Sequence, residues 1–439
     1  MTITNISVAL SMEWGGMALP SAVTAEKQWP SAVPLAEPTR LVRPVFKVAV
    51  DRHGAFFVLA ELPEPARRPY RQLRLLRADS HGVLTGITGL TVEEPEVIAW
   101  QVTEFTPDHR GGVYLLEALQ RRDQEVDLRL RRVSEGGATR WVRQLRHDSR
   151  SLDYESLTGR FEDVLAPDGE SVYLPSRYPV PGLVRLDPDT GGLVAGYDFG
   201  EPHDRLAIDQ LHRVFYARRV GDGDDQRTVL IRRVLETGNR DVIQPGLARL
   251  DELAGVDAAG RIYARLLDGI ARLSPDGLAE WTFRPHGIVV RSGDGHLFMC
   301  RNVGRGERSI RLFVEQFAAG GAQLGPLSFD LPVEDLPHPD SAPELVFADD
   351  SSRIGFYTGD SRRGAGTLFT FEEEGRLLAV EPLQHSKNGR PSFDVANDRL
   401  LPVESRLGPP ATFALDGQGR LYLPLSDPTG YRVVRVEAG

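Results

Sequence analysis

One short motif recurs along this chain and limits what it can fold into. It reads FKVAVDRHGAFFVLA from Phe46, VTEFTPDHRGGVYLLEA from Val102, FEDVLAPDGESVYLP from Phe161 and RLAIDQLHRVFYA from Arg205. It returns as ELAGVDAAGRIYA from Glu252, RPHGIVVRSGDGHLFMC from Arg284, LVFADDSSRIGFYT from Leu345 and TFALDGQGRLYLPL from Thr412. Each copy is an apolar strand, a turn centred on Asp or Gly, and a second strand rich in β-branched or aromatic residues. That is the pattern of a β-hairpin. Asp suits such a turn because its carboxylate accepts backbone N–H bonds, and Gly closes it because φ can turn positive there. The turn aspartates are Asp51, Asp108, Asp168, Asp209, Asp257, Asp294, Asp350 and Asp416, spaced 37 to 66 residues apart.

That spacing brackets the length of a four-stranded propeller blade. A second hairpin follows most copies, as in LRLLRADSHGVLTGI from Leu73, LVRLDPDTGGLVAGY from Leu183, IARLSPDGLAEWTF from Ile270 and LFTFEEEGRLLAV from Leu368. Two hairpins per period give four antiparallel strands, and helical periodicity is nearly absent. The expected fold is therefore an all-β propeller of eight four-stranded antiparallel blades. Seven is the alternative, because SFDVANDRLLPVES at 392–405 reads as an extra hairpin. After the last copy one strand remains, YRVVRVEAG at 431–439, and TITNISVAL at 2–10 has no hairpin partner of its own. Pairing the two would complete the last blade, hide two sheet edges and close the ring. On this reading residues 1–45 are a closing strand and linker, residues 46–439 are the repeats, and the whole is one domain.

Composition narrows the function classes. A hydrophobic content of 41% with 26% charged residues describes a globular chain, and no apolar run approaches the ~18 residues that span a membrane. The first 25 residues carry Glu13 and no basic residue, which argues against a signal peptide. Cys300 is the single cysteine, so neither an internal disulfide nor a cysteine-based zinc site can form, and a cytoplasmic location is expected. The net charge of −10 argues against nucleic-acid partners. Only Lys27, Lys47 and Lys387 are lysines among 52 basic residues, a bias that GC-rich codons explain. The basic stretch RRDQEVDLRLRRVSEGGATRWVRQLRHDSR at 121–150 interleaves acids throughout and reads as the solvated side of outer strands.

The kernels resemble the NHL, streptogramin-lyase and SMP-30-like group of β-propellers from about Phe46 onward, in their apolar strand, D-x-x-G turn and following aromatic strand. The resemblance implies a propeller whose tight turns share one face, with longer loops on the other. Long loops on a rigid scaffold concentrate binding residues. His147, His203, His286, His338 and His385 fall on that face, as do Arg67, Arg68, Arg177, Arg218, Arg301 and Arg362. PHGI at 285–288 is similar to the segment bearing the catalytic histidine of the lyases, which implies a general-base role for His286. His203, Asp204 and His286 are candidates for a divalent-metal site, and the lactonase resemblance adds Asn302 to Asp204. A loop histidine held by local hydrogen bonds fits the same sequence, and this is the reading adopted. HExxH, G-x-S-x-G, P-loop and strand–GxGxxG–helix motifs are absent. The expected function is a non-enzymatic binding or scaffold module, without cofactor, that engages a protein partner through Arg67, Arg68, Arg177, Arg218, Arg301 and Arg362. The alternative is a lyase- or lactonase-type enzyme with its chemistry around His203, Asp204 and His286.

Overall fold

A computed structural model describes residues 3–13, 47–62, 72–121, 126–145, 171–176, 182–200, 206–220, 227–243, 252–266, 269–283, 288–337, 343–360, 365–384, 390–394, 399–403, 414–427 and 430–438, apart from isolated positions within them. Among these residues the structure is all-β, with one single-turn 3-10 helix at Val333–Asp335. No helix is long and apolar enough to cross a membrane.

The strands form separate antiparallel sheets in chain order. The first contains β2 (Lys47–Val50), β3 (Phe56–Leu62), β4 (Gln72–Ala78) and β5 (Leu84–Leu90), and the second β6 (Val97–Pro107), β7 (Val113–Arg121), β8 (Val126–Val133) and β9 (Thr139–Leu145). The third shows β10 (Val172–Ser176), β11 (Gly182–Leu186) and β12 (Leu193–Asp198). Its expected opening strand, with Asp168, lies outside the described residues. The fourth holds β13 (Leu206–Ile208), β14 (Arg213–Val220), β15 (Arg227–Val234) and β16 (Arg240–Ile243), and the fifth β17 (Glu252–Val256), β18 (Ile262–Leu266), β19 (Gly269–Leu273) and β20 (Ala279–Phe283). The sixth holds β21 (Ile288–Val290), β22 (Leu297–Arg305), β23 (Ser309–Phe317) and β24 (Gln323–Pro332), and the seventh β25 (Glu344–Ala348), β26 (Arg353–Asp360), β27 (Ala365–Glu372) and β28 (Leu377–Gln384). The extra hairpin expected at 392–405 is present as β29 (Arg390–Asp394) and β30 (Arg399–Val403).

The last sheet runs β1 (Ile3–Glu13), β33 (Gly430–Ala438), β32 (Leu421–Asp427), β31 (Ala414–Leu415). The expected pairing of the chain's two end strands is observed: Ile6 lies opposite Val436 and Met12 opposite Tyr431.

Strand composition follows position in the sheet. Second strands such as VYLLEALQR in β7 are almost continuously buried, because neighbouring sheets cover both faces. Outer strands alternate, as in β9 and β12, where one side faces water. The core accordingly lies between consecutive sheets. Phe57, Leu59, Trp100 and Leu115 fill the first junction, Tyr114, Leu130, Val172 and Leu186 the second. Tyr173, Leu206 and Tyr216 fill the third, Phe215, Leu253 and Ile262 the fourth. Phe298, Leu312, Phe356 and Phe369 join the sixth and seventh sheets.

The described residues group into two compact units, one within Gln28–Phe283 and Thr412–Tyr422, the other within Met1–Lys27, Arg284–Ala411 and Leu423–Gly439. In the first unit, second-strand tyrosines meet the first turn of a neighbouring sheet. The Tyr173 hydroxyl lies 3.1 Å from His212 Nδ1, and the Tyr263 hydroxyl donates to the Gly419 carbonyl at 2.9 Å. Tyr422 and Arg420 crowd Gly54, and Tyr422 packs edge-on against Phe56 at 5.2 Å.

Candidate functional site

Most of the sequence-predicted site lies outside the described residues: His147, His203, Asp204, His286, His338, His385, Arg67, Arg68, Arg177 and Arg362. Three of the candidates are described. Arg218 stands near the end of β14, opposite Val229. Arg301 and Asn302 lie in β22, where the register shifts between Cys300 and Asn302 as the latter pairs with Phe313.

The tight turns are resolved in detail, and their chemistry repeats. In six of these first turns the opening carboxylate accepts the backbone N–H groups two and four residues on, as Asp51 does from His53 at 2.8 Å and Ala55 at 2.9 Å. Asp108, Asp209, Asp257, Asp349 and Asp416 do the same. In four turns the other oxygen takes an arginine four residues on: Arg213, Arg261, Arg353 and Arg420 reach Asp209, Asp257, Asp349 and Asp416 at 2.5–2.7 Å. Two sequence assignments are corrected here. The seventh turn is opened by Asp349, one residue before the expected Asp350, because Asp349 receives both N–H bonds. In the sixth turn Arg291 occupies the opening position, and Asp294 caps only the His296 N–H, at 2.9 Å.

A second repeat links the sheets. In the first five sheets an aromatic residue of the second strand faces an arginine of the third: Phe57–Arg77, Tyr114–Arg132, Tyr173–Arg185, Phe215–Arg232 and Tyr263–Arg272. Three of these arginines reach the turn between the third and fourth strands of the next sheet. Arg77 pairs with Glu135, Arg132 reaches Pro188 O at 2.8 Å and Asp189 at 2.9 Å, and Arg232 reaches Pro275 O at 3.5 Å. Arg132 also holds the buried Asp108 carboxylate at 2.9 Å, and Trp141 Nε1 donates to Pro188 O at 2.8 Å.

These contacts correct the reading of 121–150 as a solvated strand face for β8, where Arg129, Arg131 and Arg132 are buried, whereas β9 does face solvent, with Arg140 exposed. Glu117, wholly buried, accepts Arg129 at 2.6 Å, Arg131 at 2.5 Å and the Trp100 indole at 3.1 Å. Glu94 adds a further carboxylate to Arg129. Cations survive burial where opposite charges from neighbouring strands surround them. Sequence spacing alone does not bring Glu117 to Arg129.

One mixed polar cluster joins the sixth and seventh sheets. Arg291 binds Asp294 at 2.7 Å and Glu373 at 2.8 Å, while Gln316 donates to Glu373 at 2.7 Å. His296 Nδ1 lies 2.8 Å from Arg291 Nη2 and 3.0 Å from Asp294 Oδ2. Burial alone would raise the Asp294 carboxyl, but hydrogen bonds from Arg291 and the His296 N–H outweigh it and hold it below the usual range. With both acids engaged by Arg291, the cluster acts as an inter-sheet tie. Among the described residues no group of three or more His, Cys, Asp or Glu side chains is arranged to hold a metal ion. Burial pushes the half-buried Cys300 thiol up to about 11, so it is a poor nucleophile at neutral pH.

No family model matches the chain, and no curated protein does. A solved structure described as "Crystal structure of the eukaryotic initiation factor" aligns over 86% of this chain and 96% of that one, with 10% identity and a TM-score of 0.32. A likeness at that level bears on neither fold nor function here.

Proposed function

We propose that this protein is a non-enzymatic propeller-type scaffold, akin to the NHL-like group, that engages a protein partner through its long-loop face. The observation that carries this reading is the chemistry of the tight turns. Their carboxylates are engaged by backbone N–H groups and, in four turns, by arginines, and the third-strand Arg77, Arg132 and Arg232 are engaged by neighbouring turns. That leaves partner capture to the other face, where Arg67, Arg68, Arg177, Arg218, Arg301 and Arg362 are assigned.

The same reading takes the sheets as blades of a ring. Its support is the chain of contacts in the larger unit, which runs from the first sheet through the fifth to the hairpin at 414–422 and back to the first. That circuit has six members, fewer than the eight kernels.

The test is chemical cross-linking of the full chain in its native host. Charge reversal of those six arginines should abolish the captured protein, while reversal of Arg376 on a tight turn and His286→Ala should not. Stoichiometric metal in the purified protein, lost in His203→Ala and His286→Ala, would instead establish the lyase- or lactonase-type reading.

A further inference from the structure

The fourth strand of each sheet ends hydrogen bonding on one side, and an outer strand with free N–H and C=O groups is a template for another strand. Most outer strands here carry a guard. Each of β9, β12, β16, β20, β24 and β28 contains at least one charged residue, and β24 and β28 add proline. β1, uncharged until Glu13, lies against β22. β5 is the exception: it reads LTGITGL, without charge or proline, and among the described residues it pairs only with β4. Its Thr85 and Gly89 are exposed. From Gly86 to Leu90 its register with β4 is regular, and the bulge at its start recurs in the outer strands β9, β12, β20, β24 and β28.

We propose that β5 is a self-association edge, which pairs antiparallel with β5 of a second copy across a two-fold axis. An isologous contact sets a surface against itself, so it must carry no like charges that come to face each other across the axis. LTGITGL meets that condition in every register, because only Leu, Thr, Gly and Ile can face one another. Its threonine and branched residues also suit a strand pair. The net charge of −10 repels two copies at a distance, but salt of about 0.15 M screens that repulsion beyond ~8 Å. A seven-residue edge is a small interface, so the dimer forms in the micromolar range. This edge is independent of the face assigned to the partner.

Gly86 gives a clean probe, since a Cβ there meets nothing within 4 Å and Gly86→Glu would lie opposite Arg77. Sedimentation equilibrium of the full chain from about 1 to 200 µM should show dimer formation. Gly86→Glu should weaken it at least about tenfold, with circular dichroism unchanged. Gly196→Glu, on the outer strand β12 and equally open, should leave it intact. Thr85→Lys, at an exposed position, serves if Gly86→Glu fails to fold. The proposal is overturned if the parent chain stays monomeric at the highest concentration. It is equally overturned if the β5 variants dimerise like the parent, or if Gly196→Glu disrupts association as strongly.

Discussion

Tyr114, Arg132 and Trp141 cross the second sheet in the same register as Tyr263, Arg272 and Trp281 cross the fifth. Their surroundings differ. Arg132 and Trp141 both donate to Pro188 of the next sheet, and Arg132 adds Asp108 and Asp189. Arg272 instead pairs within its own sheet, 2.7 Å from Glu280, in a geometry that leaves its Nε without an aligned hydrogen bond. Trp281 Nε1 is buried and has no acceptor among the described residues. The topology accounts for this. Tyr263 meets the sheet of Gly419, whose fourth strand is β1, so no hairpin turn joins that sheet's third and fourth strands. The second sheet has such a turn to grip, at 187–191. One side-chain ladder is a tie between sheets in one place and a self-contained pair in the other.

Removing the arginine should separate the two most sharply. Arg132→Met strips a partner from Asp108, whose side chain is 2% exposed, and should cost about 3 kcal/mol, at the low end for a broken buried pair because two backbone N–H bonds remain. Arg272→Met releases a Glu280 that is 29% exposed and should cost about 1 kcal/mol or less. Since two compact units need not unfold together, amide exchange resolved by sheet is the suitable measurement. Equal losses at both positions would mean that Pro188 and Asp189 contribute nothing to the tie.

The indoles give a smaller contrast with opposite signs. Trp141→Phe leaves Pro188 O short of one donor and should cost about 1 kcal/mol. Trp281→Phe deletes a buried N–H that has no acceptor, so it should be neutral or stabilising by up to about 1 kcal/mol. A loss at Trp281 comparable to that at Trp141 would show that its N–H has found an acceptor.

What the chain reveals of this comparison is uneven, for physical reasons. Hairpins are legible because alternation and an Asp/Gly turn are local, and the β1–β33 pairing follows from two strands left without partners. Asp349 and Asp350 are adjacent and equally suited to open a turn, so only the hydrogen bonds separate them. The arginine ladder is harder to read. Arg132 and Arg272 look like ordinary outer-strand cations, and their roles depend on residues 57 and 8 positions away. A recurring Tyr–Arg–Trp cross-strand triple was the available signal. The candidate site itself, built on His203, Asp204 and His286, lies outside the described residues.

Backbone strain adds a milder test at the same inter-sheet contacts. The residue closing the first turn has positive φ, and it is glycine in the turns of Gly54, Gly111, Gly260 and Gly419. His212 and Ser352 take this conformation at φ 54° and 57°. A side chain pays about 1 kcal/mol there. Ser352→Gly should therefore stabilise by a little under 1 kcal/mol. His212→Gly should gain less, because it forfeits the contact with Tyr173. Thermal melts that rank His212→Gly above Ser352→Gly would remove that contact from the tie.

The weakest effect is a titration. Burial raises Tyr263 to about 12, with the Asp257 charge adding to the shift. Burial likewise raises Tyr114, partly opposed by Arg132. A phenol whose folded pKa lies above its unfolded value of about 10 contributes stability that is fully present below pH ~10 and is lost as pH climbs through the folded pKa. The two rungs should thus stay protonated at pH ~10, where a free phenol ionises. Absorbance at alkaline pH should show a late step near 12, to which Tyr263 and Tyr357 both contribute and which Tyr263→Phe should reduce. Arg132→Met should delay ionisation of Tyr114, because it takes away the cation that opposes burial, while leaving the Tyr263 step in place. If Tyr263 instead titrates near the free-phenol value of about 10, the fifth sheet is open to water at this rung. Its orphaned indole would then be hydrated, and the contrast with the second sheet would rest on solvent rather than on a missing turn.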